Sequence, residues 1–225
     1  MNTQKTNGKE PAERIHHQMP VHFAKESPQK ERMNNKKIVC IGTSTGGPRA
    51  LQTVLSSLPE NLEAPVLIVQ HMPSGFTKSL ANRLNTICSM TVKEAEDGEM
   101  LKKGVAYIAP GDFHMMIEEQ GGRIMIRLDK SPPVNGHRPA VDKTFESASH
   151  LKHYEKIAVI MTGMGSDGTK GLIELKKRGN VRAIAESEES CIVYGMPRSA
   201  IATNLIDEIV HLNHIADAIV KFICE

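Results

Sequence analysis

The sequence predicts an α/β fold, and three observations carry that prediction. Short apolar runs recur along the chain, glycine-rich turns follow them, and segments of helical period come next. The runs are apolar on both faces, which suits strands covered by helices on either side of a parallel sheet. The first run, KIVCIG at 37–42, reads as a strand, 43–47 as a turn, and Pro48 as the first turn of a helix reaching about Leu58. VLIVQ at 66–70 is the second strand, followed by a helix from Gly75 or Phe76 to Leu84. The rhythm then pauses. A short strand is expected at 105–108, and MMIEE and RIMIRL around the Gln120-Gly121-Gly122 turn form a small hairpin. A helix over 142–148 follows Pro139, and the alternation resumes with a strand at 157–161, a helix at 169–177 and a strand at 181–185. The last helix, 215–223, carries apolar residues at 215, 219, 222 and 223, with Asn213 as its expected N-cap. One domain over 37–225 accounts for the pattern.

Composition narrows the functional classes. The chain has 225 residues, and its 28 Lys and Arg against 26 Asp and Glu leave a formal charge of +2, too balanced for a polyanion-binding protein. Four cysteines without a close pair are expected to be reduced residues of an intracellular protein, and they imply no zinc site. The N-terminus has no apolar signal core, and no segment approaches the roughly 20 apolar residues that span a bilayer. A cytoplasmic protein without membrane insertion is expected. Residues 1–36 are polar and mix Lys and Arg with Glu, with Pro11, Pro20 and Pro28 interrupting any helix. They are expected to form a linker-like tail of little order. Their positive charge is diluted by acids, so nucleic acid is not an expected partner.

Three strand-end loops carry chemistry. Gly42-Thr43-Ser44-Thr45-Gly46 satisfies G-x-S-x-G between a buried strand and a helix, where a serine can stand exposed beside backbone N–H donors. His71 directly follows VLIVQ, and the carboxyl ends of parallel strands gather at one edge, so His71 can meet Ser44 as a base. Asp167, in MTGMGSDG after the 157–161 strand, reaches the same edge and can orient an imidazole. Its blander role is to cap the following helix. Asp112 is the rival acid, and His137, in the proline-restrained SPPVNGHRP loop, is expected to border the site or pack structurally.

A competing pattern uses the same third loop. Gly163, Gly165 and Gly168 match G-x-G-x-x-G, and Glu186 ends the next strand near the spacing of an acid that holds a ribose hydroxyl. Dinucleotide binding therefore stays open on the residues alone, although it leaves Ser44 and His71 unexplained. A Walker phosphate loop is weaker still, because GTSTGGPR lacks the G-K-[ST] ending and Pro48 stands where that motif needs lysine.

Taken in order, IGTSTGGP, VQHMP, AYIAPGDFHM, SPPVNGHRPAVD, MTGMGSDG and ESCIVYGMP resemble the catalytic domain of the chemotaxis protein-glutamate methylesterase family, the CheB-type enzymes, over about 37–222. The resemblance implies a doubly wound three-layer α/β/α domain with a mostly parallel sheet. It implies Ser44 as nucleophile, His71 as base and Asp167 as its orienter, with Thr45 shaping the site and the Met164 N–H helping to hold an oxyanion. The implied substrates are γ-glutamyl methyl esters on the cytoplasmic helices of methylated chemoreceptors, with receptor glutamines as deamidation substrates, and no cofactor or metal is implied. The family's usual architecture puts a phosphorylatable receiver domain ahead of the esterase, whereas about 36 residues precede the domain here. The expectation is therefore a standalone esterase, constitutive or regulated in trans, or the catalytic portion of a longer chain. The alternative is an esterase-like module that binds or modifies another signalling protein.

Overall fold

The computed structural model describes residues 1–3 and 36–225. The expected tail lies outside the described residues except at its two ends. From Lys36 onward the chain builds a seven-stranded sheet, with strand pairs that are all parallel. Its strands are β1 (Lys36–Thr43), β2 (Val66–Gln70), β3 (Thr91–Glu94), β4 (Val105–Ile108), β7 (Tyr154–Ile160), β8 (Val181–Glu186) and β9 (Glu208–Val210), in the order β3-β4-β2-β1-β7-β8-β9. The antiparallel pair β5 (His114–Gln120) and β6 (Arg123–Asp129) stands apart as a hairpin closed by Gly121-Gly122.

Alternation along β1 explains the layers. Val39 and Ile41 point to one face, where they meet α1 (Gly47–Ser57), α2 (Phe76–Ile87) and α6 (Ile215–Cys224) through Leu51, Leu55, Leu84 and Ile219. Ile38 and Cys40 point to the other, against α3 (Val141–Ser149), α4 (Thr169–Arg178) and α5 (Met196–Ile201). Phe145 of α3, 1 % exposed, anchors that second layer, and burial of such a ring contributes about 2 kcal/mol. The hairpin leans on α3, where Thr144 Oγ1 donates to the Met115 carbonyl at 2.6 Å and Ser147 Oγ accepts from the Ile117 N–H at 3.1 Å.

Strand order reverses between β1 and β7, which opens a crevice beyond their carboxyl ends. Hydrogen bonds lock the two ends together there. The Met161 N–H donates to the Gly42 carbonyl at 2.9 Å, the Ser44 N–H to the Thr162 carbonyl at 3.0 Å, and Thr43 Oγ1 to that same carbonyl at 2.9 Å.

The sequence patterns miss β3, β9 and α5, and they misplace one cap. A 3₁₀ turn over Leu212–His214 leads straight into α6, so the acceptor moves upstream: His211 Nδ1 takes the Asn213 N–H at 3.3 Å, and Asn213 does not cap the helix. All four cysteines are free. Among the described residues, no helix is long and apolar enough to cross a membrane, and no His, Cys, Asp and Glu cluster could hold a metal ion.

Candidate active site

Three loops at the carboxyl edge of the sheet bring the candidate residues together. Ser44 sits one residue beyond β1, half-buried, with its carbonyl accepting from Gln70 Nε2 at 2.9 Å. The same Nε2 donates to the His71 carbonyl at 3.2 Å, so one buried amide at the end of β2 fixes the backbones of both residues. Gly163, after β7, packs beneath Ser44: a Cβ there would lie 2.8 Å from Ser44 Cβ, so only glycine lets the two loops approach this closely.

His71 and Asp167 are paired. His71 Nε2 lies 2.7 Å from Asp167 Oδ2, and the two side chains are only 6 % and 2 % exposed. The opposite ring nitrogen, Nδ1, is buried without a partner among the described residues. Ser44 and His71 line one cavity of about 340 Å³ together with Met72, Pro73, His137 and Arg138, and no hydrogen bond yet joins the serine hydroxyl to the ring.

Asp167 does more than the sequence predicts. Its Oδ2 accepts the Val141 N–H at 2.7 Å and its Oδ1 the Asp142 N–H at 3.1 Å, so it caps α3 as well as accepting the Gly168 N–H, at 3.0 Å, at the start of the helix that follows it. Asp142 returns the exchange, since its Oδ1 accepts the Gly168 and Gly171 N–H groups at 3.0 and 2.8 Å at the start of α4. Asn135 Nδ2 bridges the pair, 2.9 Å from Asp142 Oδ2 and 3.3 Å from Asp167 Oδ1. Burial works to raise the Asp167 pKa, but the bonds from His71, Val141 and Asp142 outweigh it and hold the carboxyl below its ordinary value. Asp167 is therefore ionised at neutral pH.

The cross-capping removes the dinucleotide reading. A pyrophosphate would need the free N–H groups at the start of α4, and Asp142 occupies them. Glu186 is fully buried, accepting the Thr162 N–H at 2.8 Å and the Ser190 hydroxyl at 3.0 Å, so it faces no ribose. The rival acid fails too, because Asp112 is exposed and its backbone is held at φ 69° on the loop after β4. The Ser44 N–H, committed to Thr162, is unavailable to an oxyanion. Among the described residues the N–H groups of Thr45 and Met164 meet no acceptor, and the Met164 side chain is 73 % exposed at the rim.

Sequence reasoning missed Gln70, Asn135 and Asp142 as parts of this site. Only Asn135 carries a local signal, the Asn-Gly pair of a tight turn. Arg138 spends its guanidinium on its own loop, donating to the Lys130 and Ser131 carbonyls at 3.0 and 3.1 Å.

Comparison with known proteins agrees with this arrangement. Residues 39–219 match the family profile described as CheB methylesterase. A protein-glutamate methylesterase/protein-glutamine glutaminase of Geobacillus kaustophilus is 61 % identical over 188 residues, covering 84 % of this chain and 54 % of the relative. Its counterpart in Pyrococcus abyssi is 45 % identical, covering 81 % and 50 %. The crystal structure of the Thermotoga maritima CheB methylesterase catalytic domain superposes with a TM-score of 0.80 at 49 % identity, over 83 % of this chain and 98 % of that one. The chain thus spans about half the length of the curated relatives it matches.

Proposed function

Because the chain belongs to the CheB methylesterase family, we propose that residues 37–225 form a serine hydrolase domain that demethylates γ-glutamyl methyl esters on the cytoplasmic helices of chemoreceptors and deamidates receptor glutamines. The observation that carries this reading is the His71 ring, with Nε2 held by an ionised Asp167 and Nδ1 unpaired beside the cavity that Ser44 lines. Asp167 fixes the tautomer with the proton on Nε2, which leaves the Nδ1 lone pair as the base.

Ser44 Oγ attacks the side-chain carbonyl carbon while its proton passes to His71 Nδ1, and Asp167 stabilises the imidazolium. The Thr45 and Met164 N–H groups receive the oxyanion, where one such donor is worth roughly 3 kcal/mol in a related chemistry. The C–O bond to methoxide breaks as the imidazolium protonates it, and methanol leaves. With glutamine the leaving group is ammonia. Water then attacks the acyl-enzyme, gives its proton to His71, and Ser44 departs with that proton as the free hydroxyl. No cofactor enters any step, and control falls to a receiver domain joined in a longer chain or to a regulator acting in trans.

The test is methanol release from methylated chemoreceptor membranes by the folded protein and by Ser44→Ala at equal concentration. Release should fall by about 10⁶-fold in the variant, the scale seen when a triad serine is removed elsewhere. Release that persists in Ser44→Ala would refute the assignment of the nucleophile.

A further inference from the structure

The loop before α3 brings a second imidazole onto the first. His137 stacks face to face on His71, with ring centroids 3.8 Å apart and planes inclined by 9°. The local sequence explains how it gets there. Val134 and His137 exchange both backbone hydrogen bonds, at 3.0 and 2.9 Å, around Asn135 and Gly136, whose φ values of 52° and 80° are those of a two-residue turn with both central residues left-handed. That turn aims Asn135 at the two aspartates and His137 at the base. The segment is pinned from beneath by the buried His114, whose Nδ1 accepts the Ala140 N–H and whose Nε2 donates to the Pro132 carbonyl, both at 3.2 Å.

We propose that His137 is a positioning residue for the hydrolysis: as a neutral ring it fixes the plane of His71 with Nδ1 turned to the cavity, and by staying neutral it leaves His71 free to take the Ser44 proton. This rests on the serine-hydrolase reading above. The argument is geometric first. The Asp167 bond restrains His71 at one atom only and leaves rotation about that contact free, whereas a parallel ring at van der Waals distance fixes the plane. The second part follows from Coulomb's law. Proton transfer from Ser44 makes His71 an imidazolium, and a second positive ring 3.8 Å away opposes that charge directly. The groups facing His137 are His71 from the loop after β2, Asp167 from the loop before α4, and Arg138 beside it, whose guanidinium is turned to the Lys130 and Ser131 carbonyls. Burial first, then the charge of His71, depress the His137 pKa, and Asp167 offsets this only in part. His137 is thus neutral at neutral pH, where His71 has to take the Ser44 proton.

The experiment compares wild type, His137→Ala and His137→Phe in methanol release across pH, and follows the imidazole resonances of His71 by NMR titration. In His137→Ala, kcat should fall roughly 10- to 100-fold with KM moving less than about twofold, the pattern of lost orientation rather than lost binding. His137→Phe, which keeps a flat ring but cannot take a proton, should recover most of kcat. The His71 resonances should respond differently to pH in wild type and in His137→Phe, because only the wild-type neighbour ring can take a proton. An unimpaired His137→Ala, a His137→Phe as slow as the alanine variant, or His71 curves identical in wild type and His137→Phe would each overturn the proposal. Should wild type release no methanol from competent receptors, the functional reading fails, while the NMR titration still decides whether the rings are coupled.

Discussion

The starts of α3 and α4 are built alike and titrate oppositely. Each helix receives its cap from an aspartate at the start of the other, both aspartates are buried, and Asn135 touches both. Asp167 is nonetheless held below the ordinary carboxylate pKa, whereas Asp142 is pushed above it, by burial first and then by the charge of Asp167. The difference is one partner. Asp167 has the His71 ring at 2.7 Å, and Asp142 has backbone and amide donors alone. Helix capping is enough to build the frame, and the imidazole is what holds a capping carboxylate below its ordinary pKa.

The strongest way to break the comparison is Asp167→Asn. The amide oxygen in the Oδ1 position can still accept the Asp142 N–H, so the frame should survive with a melting temperature within a few degrees of wild type. The amide nitrogen cannot accept from His71, so the ring loses the tautomer that leaves Nδ1 basic, and kcat should drop by about 10⁴-fold. Steady-state kinetics beside thermal melting separate the two effects. A variant that keeps most of its activity would mean that Asp167 is a cap and nothing more.

Asp142→Ala inverts the pattern. It strips Gly171 of its acceptor, Gly168 of one of two and Asn135 of one partner, so urea denaturation should show a loss of about 2 kcal/mol. Activity should fall far less than in Asp167→Asn, because the His71–Asp167 pair remains. An Asp142→Ala protein as stable as wild type would show that the exchange between the helices is ornamental.

The contrast also explains what was legible beforehand. Ser44 and His71 stand directly after buried apolar strands and Asp167 on the glycine-rich loop after a third, and parallel strands must bring such residues to one edge. β1, β2, β7 and β8 were readable for the same reason, since burial on both faces leaves runs such as VLIVQ with no polar residue before the last position. β3 and β9 lie at the sheet edges with four and three residues, too short and too polar to set a period. Asp142 reads as an ordinary first-turn acid of α3, and nothing local reveals that its acceptors serve another helix. The His71–His137 stack is likewise a product of tertiary approach. The Asn135-Gly136 turn announces a reversal of the chain without naming what the reversal will meet.

Acid titration gives the smallest and most discriminating effect. For Asp167 the folded pKa lies below the unfolded value of 3.8, so its ionisation stabilises the fold fully above that value and the contribution is lost as pH falls through the folded pKa. For Asp142 the folded pKa lies above 3.8, so its contribution is fully present below 3.8 and is lost as pH rises through the folded pKa. Between the two, acidification from neutral pH should first relieve Asp142 and only later undermine Asp167. Denaturation midpoints measured from pH 7 downward should therefore show Asp142→Asn gaining on wild type as pH rises above 3.8, because the amide has no charge to bury. Asp167→Asn should behave in the opposite sense, with its deficit relative to wild type shrinking below that pH. Parallel pH curves for the two variants would mean that His71 does not distinguish the aspartates, and the asymmetry on which the site depends would be absent.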